Sequence, residues 1–307
     1  MKARKSRNKD KNIRDASQLF DFARDSYLER TSRPFYALIF LLPFIIFYEL
    51  GTIFINTDLL NQSQVRVVAF VWLQRFLGYL GFGDKFAWAA PALAVVIILV
   101  ALQIVSRKQW YFGYKDVLPM SVECILLAVP LVVLSLFLNG YIQPKNDIKQ
   151  LDGSRLQVQT QLIQCSSEME AEPSPAVEDS RQSPGRQELL AAVVTSIGAG
   201  IYEELVFRLI LICLLMILFQ DGFRLDRKNA IIFSVLVSAV MFSAHHHIDF
   251  FSGQMTEPFN MTAFGFRTLA GIYFAVVFAV RGFAITAGTH AFYDIIVVFL
   301  NTYFLNQ

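Results

Sequence analysis

Long, nearly uninterrupted apolar blocks are the feature that most restricts what this chain can fold into. Several of them reach the roughly 20 residues that a helix needs to cross the core of a bilayer. Inside hydrocarbon every backbone N–H and C=O needs a partner within its own segment, so we expect the blocks to be helices. The alternating pattern of an outer-membrane barrel is missing from the sequence. The blocks are residues 35–55, 86–106, 117–143, 205–219, 229–244, 263–280 and 283–305.

The composition points to the same class of protein. Hydrophobic residues make up 55% of the 307 residues and charged residues only 17%, whereas a soluble domain carries about 25% charged residues. The sequence therefore predicts an all-α, polytopic transmembrane bundle of about seven or eight spans. Residues 65–82 are the doubtful segment, because they are short for a span and carry Arg66 and Arg75. We interpret them as an interfacial helix, with a tilted eighth span as the alternative.

The distribution of basic residues gives an orientation. A basic tail before the first block, together with the basic loop at 107–116, predicts a cytoplasmic N-terminus. We expect a multi-pass protein of the cytoplasmic membrane of a bacterium, with the lipid bilayer as its surroundings. Nucleic acid is not an expected partner, because nothing near the tail resembles a module that reads a groove. The basic residues of the tail are Lys2, Arg4, Lys5, Arg7, Lys9, Lys11 and Arg14.

Shifts in composition divide the chain into four parts. Residues 1–33 form a polar, basic N-terminal tail, and residues 34–143 form an N-terminal group of membrane helices. Residues 144–187 are rich in Gln, Ser, Glu, Asp and Pro, and such a segment cannot bury enough apolar surface to offset the entropy of ordering. We expect it to be a disordered linker. Residues 188–305 then form a second group of membrane helices.

Ionisable residues inside the C-terminal blocks are the candidates for function. A charged side chain at the centre of a membrane helix costs about 2.5–3.5 kcal/mol on insertion, so such a residue is a candidate for a functional role. On a helix Glu204 and Arg208 are one turn apart and can pair, whereas Glu203 points about 100° away. His290 and Asp294 also share one helix face. The three polar groups are Glu203-Glu204-Leu205-Val206-Phe207-Arg208, Phe242-Ser243-Ala244-His245-His246-His247 and His290-Ala291-Phe292-Tyr293-Asp294.

These residue types contain what hydrolysis of an amide needs. A carboxylate in apolar surroundings can take a proton from water, and imidazoles can orient that water or stabilise the oxyanion that develops. Two histidines and a glutamate are also the ligand set of a catalytic zinc ion with an open position, so metal-assisted attack stays open. Neither the HExxH motif of zinc proteases nor the GxSxG motif of serine hydrolases occurs.

In this order on successive hydrophobic segments, the three groups resemble the motifs of a known family. The patterns E-E-x-x-x-R, F-x-x-x-H and H-x-x-x-N/D are similar to those of the CAAX protease and bacteriocin-processing enzymes, also called the CPBP or Abi family, which include the type 2 CAAX prenyl protease. The resemblance covers roughly residues 188–303. Each motif alone is weak, but three in order, each within an apolar block, are a more specific signal.

The resemblance implies a role for each matched position. Glu203 would be the general base, and His246 would help it to activate water. His290 and Asp294 would stabilise the oxyanion. The eukaryotic prenyl endopeptidases have Asn at the last position, and because Asp294 cannot donate a hydrogen bond unless it is protonated, we favour orientation of His290 as its role. Among three consecutive histidines, only the four-residue offset from Phe242 selects His246.

The remaining motif residues and the cofactor follow from the same resemblance. Glu204 with Arg208 would hold the first motif helix in place, either as part of the site or simply as a structural ion pair. The enzyme would need no cofactor, or else a divalent metal such as zinc, for which Glu203, His246 and His290 are the candidate ligands.

The predicted function is therefore intramembrane endoproteolysis. The substrate would be a membrane-anchored protein or peptide, possibly one lipidated at a CAAX-type C-terminus. Two alternatives use the same fold: a proton-coupled transporter, and an inert immunity or scaffold protein.

Other polar and small residues have structural interpretations. We expect His245 and His247 at an interfacial helix end, Glu49 and Glu123 in hydrogen bonds between helices, and Arg267 and Arg281 as anchors at the two membrane interfaces. Glycines suit close contacts between helices. Those assigned to packing are Gly265, Gly271, Gly282 and Gly288.

Overall fold

Helices account for nearly all of the regular structure in this protein. The structure is a computed structural model that describes residues 25–55, 67–81, 89–142, 186–250, 253 and 255–305. Within these residues, β pairing is limited to an isolated bridge between Ile248 and Met255. The predicted all-α fold is confirmed. The helices are α1 Tyr27–Thr31, α2 Pro34–Ile55, α3 Val68–Tyr79, α4 Ala90–Ser106, α5 Val117–Ile142, α6 Arg186–Glu204, α7 Ile212–Ile217, α8 Arg227–Ala244, α9 Met261–Arg281 and α10 Phe283–Leu300.

Within the described part of the chain, five helical stretches are long and apolar enough to cross a bilayer: α2, α8, α9, Tyr114–Leu138, which includes most of α5, and Phe283–Phe304, which includes α10. Helix α4 is apolar but shorter, with 17 residues. The membrane bundle is thus confirmed, with the number of spans roughly as expected. Helix α3 has 12 residues and extends only about 18 Å, too short for a core of about 30 Å.

The predicted block 205–219 lies inside a longer helical rod. Helix α6 continues without a break into the π-helical segment Leu205–Leu211, then α7, then a second π-helical segment, Leu218–Gly222. The rod is less apolar than the five candidate spans because it contains Glu203, Glu204 and Arg208. Its first half, Arg186–Glu204, precedes the block 205–219 and lies almost entirely within the predicted second group of membrane helices.

Several expectations concern residues outside the described part of the chain. Most of the N-terminal tail and almost all of the predicted linker, residues 144–185, belong there. The division of the chain into four parts therefore stays a prediction.

Helix α10 lies at the centre of the described helices. It packs against α6 and α5, and also contacts α2 and α9. The closest approach is at Gly200 of α6, where a Cβ atom would lie 2.6 Å from both the carbonyl oxygen of Ala287 and the backbone nitrogen of Ala291. The two backbones are therefore in direct contact, one helical turn before the paired glutamates of α6.

The predicted packing glycines have different surroundings. A Cβ at Gly288 would lie 2.6 Å from Sγ of Cys124, and one at Gly271 would lie 3.0 Å from Cα of Ala239, so both allow close contacts between helices. Gly265 faces open space, and a packing role for it is wrong. Gly282 has a φ of 78° and forms the turn between α9 and α10.

A buried polar network ties the opposite end of α9 to the N-terminal helices. Glu123 of α5 pairs with Arg281 of α9, Nη2 to Oε2 at 2.8 Å, and accepts a hydrogen bond from the Tyr27 hydroxyl, also at 2.8 Å. Arg281 also donates to the carbonyl of Leu28. The hydrogen bonds predicted for Glu123 are confirmed. The interfacial anchoring predicted for Arg281 is wrong, because this side chain is 6% exposed and is held by protein groups.

The other two residues of this kind are also paired. Glu49 of α2 accepts a hydrogen bond from the Tyr202 hydroxyl of α6 at 3.1 Å, as predicted for a contact between helices. Arg267 forms an ion pair with Glu257 at 3.1 Å.

The contact at Gly200 predicts the effect of a single methyl group. Gly200→Ala should destabilise the protein by about 1–3 kcal/mol, because the methyl group meets backbone atoms that cannot move independently of α10. The matched control is Gly265→Ala, where the new methyl group meets nothing within 4 Å. Thermal unfolding in one detergent should show a lower midpoint for the first variant only. Equal midpoints would contradict the close contact between α6 and α10.

Candidate active site

The three polar groups singled out in the sequence meet at one place in the bundle. Glu203 lies in the last turn of α6, His245 directly follows α8, and His290 lies in the middle of α10. The Glu203 carboxylate faces both rings, with Oε1 at 3.5 Å from Nε2 of His245 and Oε2 at 3.9 Å from Nε2 of His290. A carboxylate from one helix and imidazoles from two others thus share one small volume.

This volume is shielded from solvent. Glu203 is 6% exposed, His245 1% and His290 4%. His246 and Asp294 are half-buried. Isolated ionised groups are strongly disfavoured in such surroundings, so their charges must be balanced by neighbouring groups.

Glu204 is the residue that joins α6 to α10. It is completely buried, and its Oε1 lies 3.0 Å from Nη1 of Arg208 and 2.8 Å from Nδ1 of His290. Because a carboxylate accepts, Nδ1 of His290 carries a proton and donates it to Glu204. The other ring nitrogen, Nε2, then points to Glu203 and also to Asp294, whose Oδ2 is 3.5 Å away. Glu204 fixes the orientation of His290 as well as pairing with Arg208.

Arg208 is held by aromatic rings as well as by its ion pair. Its guanidinium carbon lies 4.1 Å from the ring centre of Phe242, the first residue of the second motif, and 5.5 Å from that of Phe274 in α9. The Phe274 ring in turn stacks on His290, with centroids 4.5 Å apart and planes 18° apart. A cation over ring faces is stabilised where water is excluded.

The π-helical segment begins directly after Glu204 and includes Arg208. Segments of this kind change the direction of the side chains that follow and are frequent at functional sites. The wider turn leaves backbone carbonyls in need of donors, and Ser238 of α8 supplies one by donating to the carbonyl of Phe207 at 2.7 Å. The side chains of α8 therefore stabilise the irregular part of the first motif.

The structure places Nε2 of His245 3.5 Å from Oε1 of Glu203, and a ring nitrogen of His246 also lies within 4.8 Å of this carboxylate. Nδ1 of His245 contacts the carbonyl oxygen of Phe242, and since a carbonyl only accepts, Nδ1 carries the proton and Nε2 faces Glu203. The His246 ring lies next to that of His245, with centroids 3.9 Å apart. The sequence pattern missed this arrangement because the spacing of the motif selects a position, not a ring orientation.

The environment of the other two histidines keeps them neutral. Burial, and then the neighbouring His245 and Arg267, hold the pKa of His246 well below its ordinary value. Burial and Arg267 also lower the pKa of His247, which packs against Phe259. His245 and His247 lie directly after the last residue of α8, at the helix end where the sequence predicted them. Both are buried within the protein.

The same residues include a group that could hold a metal ion. One ligand atom each from Glu203, His245 and His246 lie within 4.8 Å of one another. The oxygen and two nitrogens suit zinc, although two ligands at about 2.1 Å from one ion are at most about 4.2 Å apart, so small side-chain movements could be required. The predicted ligand set had His290 in place of His245; Nε2 of His290 also faces Glu203, at 3.9 Å from Oε2.

Comparison with known proteins agrees with the motifs. Residues 185–296 match the model of the family described as Rce1-like, type II CAAX prenyl endopeptidase. We refer to residues 185–296 as the Rce1-like region. The match covers about a third of the chain and includes all three motifs, so the Rce1-like region consists of α6 to most of α10, and α1 to α5 lie outside it. No curated protein and no solved structure matches the chain.

The buried ion pair of the Rce1-like region predicts a stability effect. Arg208→Met should cost about 3–5 kcal/mol, because it leaves the Glu204 carboxylate buried without its cation. The double variant Glu204→Gln with Arg208→Met should recover part of this loss, since it removes the unbalanced charge. Thermal unfolding and size-exclusion chromatography in detergent measure both effects.

The matched control for Arg208 is Arg227→Met, at the exposed start of α8. It should leave the unfolding midpoint unchanged. An Arg208→Met protein as stable as the control would mean that the Glu204 charge is balanced by another group.

Proposed function

We propose that this protein is an intramembrane endopeptidase that hydrolyses a peptide bond in a membrane-anchored protein or peptide. The observation that carries the proposal is the buried Glu203 carboxylate, faced within 4 Å by imidazole nitrogens from two other segments. The membrane helices and the Rce1-like region support a protease of this type. A CAAX-type lipidated C-terminus is the substrate class that the family suggests, and a membrane-tethered peptide without a lipid is the alternative.

Glu203 is the proposed general base. A water molecule beside the Glu203–His245 pair can give a proton to the carboxylate while its oxygen attacks the substrate carbonyl carbon. Nε2 of His245 faces the same place and can accept a hydrogen bond from this water. The proton taken by Glu203 then goes to the leaving amine when the carbon–nitrogen bond breaks. His246, neutral and adjacent, is the second candidate for orienting the water.

His290 is the proposed donor to the oxyanion. With Nδ1–H bonded to Glu204, a proton on Nε2 can be donated to the negative oxygen of the tetrahedral intermediate. Asp294 lies 3.5 Å from this nitrogen and favours the charged form of the ring. This arrangement supports the orienting role for Asp294 rather than direct donation by it.

A metal ion is the open question in this mechanism. If one binds, Glu203, His245 and His246 would hold it, and it would supply a water molecule of lowered pKa. We propose the metal-independent form, because His290, when it carries a proton on Nε2, can balance the charge of Glu203 from 3.9 Å.

Removal of the Glu203 charge tests the mechanism. Glu203→Gln preserves the shape of the side chain but not its basicity, and cleavage of a membrane-tethered reporter should fall about 100- to 10,000-fold. His245→Ala should have an effect of the same order, and His246→Ala a clear loss as well. The rate of product formation by purified protein in liposomes is the measurement.

The matched control is Glu188→Gln, an exposed glutamate in the first turn of the same helix. It should cleave at the wild-type rate. Wild-type cleavage by Glu203→Gln would refute the proposed mechanism.

The metal question has its own test. We expect purified protein to keep its activity after chelation and to contain no stoichiometric zinc by elemental analysis. The opposite result, about one zinc per chain that is lost together with activity on chelation, would favour the metal form. In that case His245→Ala should also lose the metal, whereas Glu188→Gln should retain it.

A further inference from the structure

Helix α3 reaches the candidate site although it lies outside the Rce1-like region. Its Trp72 is 7% exposed, and its ring stands edge-on to that of His245, with centroids 5.7 Å apart. The same ring contacts Phe207, in the π-helical segment, and Phe250. A residue from the N-terminal half of the chain thus packs directly on the histidine closest to Glu203.

A hydrogen bond fixes the position of this ring. Nε1–H of Trp72 donates to Oδ1 of Asp249 at 2.9 Å. Asp249 comes four residues after His245, in the non-helical segment that follows α8. The second carboxylate oxygen of Asp249 lies 3.4 Å from Nη1 of Arg75, one turn further along α3. Helix α3 therefore contacts the segment at the His245 ring and at the Asp249 carboxylate.

The two contacts of Asp249 are not equivalent. The indole hydrogen bond is shielded, because Trp72 is buried, and hydrogen bonds to a charged acceptor are the stronger ones. The Arg75 side chain is 38% exposed, and an ion pair in such surroundings contributes little. Of these two contacts, the Trp72–Asp249 hydrogen bond is the one that holds the segment more firmly.

The histidine segment needs support of this kind. Residues 245–247 form a turn at the end of α8. The backbone N–H of His245 still donates to the carbonyl of Met241, and that of His247 to the carbonyl of Ala244, but these backbone bonds do not fix the direction of the histidine rings. Thr256 holds the far side, since its Oγ1 donates to the carbonyl of His246 at 2.7 Å and its backbone N–H to that of His247 at 2.9 Å. On the near side the His245 ring contacts the rings of Trp72, Phe207 and Phe242. Sites placed on loops depend on such supporting contacts for their precision.

We propose that Trp72 and Asp249 are positioning residues for His245, so that α3 supplies a functional part of the site. This inference rests on the proposed endopeptidase function. Trp72 and Asp249 act through the direction of the His245 ring and do not take part in proton transfer themselves. Helices outside the family-matched region then contribute to catalysis as well as to membrane anchoring.

The test separates the hydrogen bond from the bulk of the side chains. Trp72→Phe keeps an aromatic ring but removes the donor, and Asp249→Ala removes the acceptor. Each should lower kcat about tenfold, the effect of losing one hydrogen bond to a charged group, with KM unchanged. The double variant should be no slower than either single variant, because both changes break the same bond.

Conservative variants provide the controls. Asp249→Asn keeps an oxygen that can accept the hydrogen bond from Nε1 of Trp72, so it should retain a kcat close to wild type. If the charge of Asp249 were required instead, this variant would be as slow as Asp249→Ala. Arg75→Gln should also be close to wild type. Trp110→Phe, at a tryptophan that is 56% exposed, controls for loss of an indole elsewhere.

The outcomes distinguish this inference from the function on which it rests. No cleavage by the wild-type protein would overturn the endopeptidase function, and full activity in Glu203→Gln would overturn the proposed mechanism. An inactive Glu203→Gln protein combined with wild-type kcat in Trp72→Phe and Asp249→Ala would overturn the positioning role alone. A raised KM with unchanged kcat in Trp72→Phe would assign Trp72 to substrate binding and would also overturn the positioning role. The thermal unfolding midpoints of all variants show whether a loss of activity reflects unfolding. If Trp72→Phe does not fold, the comparison of kcat between Asp249→Ala and Asp249→Asn tests the positioning role instead.

Discussion

The three-way contact of Glu204 with Arg208 and His290 is the interaction on which the site depends. Three carboxyl groups, Glu203, Glu204 and Asp294, lie within a few ångströms of one buried imidazole, and such a concentration of acid is tolerable only where cations balance it. Arg208 supplies a permanent charge. The direct backbone contact between α6 and α10 brings these groups into range, so close packing and charge balance support each other.

A second buried network lies at the other end of α9. There Arg281 and Glu123, with the Tyr27 hydroxyl, connect α9 to α5 and α1. The middle of α9 meets the site through the stacking of Phe274 on His290 and the carbonyl of Gly271, which lies 3.4 Å from Nη2 of Arg208. Polar contacts at both places fix the helix along its axis as well as against its neighbours. Helix α9 thus contacts residues of the site, although it contains none of the three motifs.

The sequence predicted what depends on distance along one helix, together with the contacts of Glu49 and Glu123 between helices, but it missed most of the contacts between helices that shape the site. The apolar blocks, the pairing of Glu204 with Arg208, and the common face of His290 and Asp294 all follow from helical periodicity. The π-helical segment after Glu204, the stacking of Phe274 and the contact at Gly200 do not, because the sequence of an apolar helix does not show whether an aromatic residue or a glycine faces lipid or the candidate site. The choice between His245 and His246 depends on how the chain leaves α8, which spacing does not encode.

Helix α3 presents two different surfaces. Trp72 turns inward to the histidine segment, whereas Phe76, Tyr79 and Leu80 are 52%, 83% and 62% exposed. The short length of α3 predicts that it lies at the lipid surface. There it would contact lipid headgroups through its exposed residues and the turn at His245 through Trp72. The catalytic geometry would then respond to lateral pressure in the leaflet, and a detergent micelle and a bilayer would not be equivalent environments for this protein.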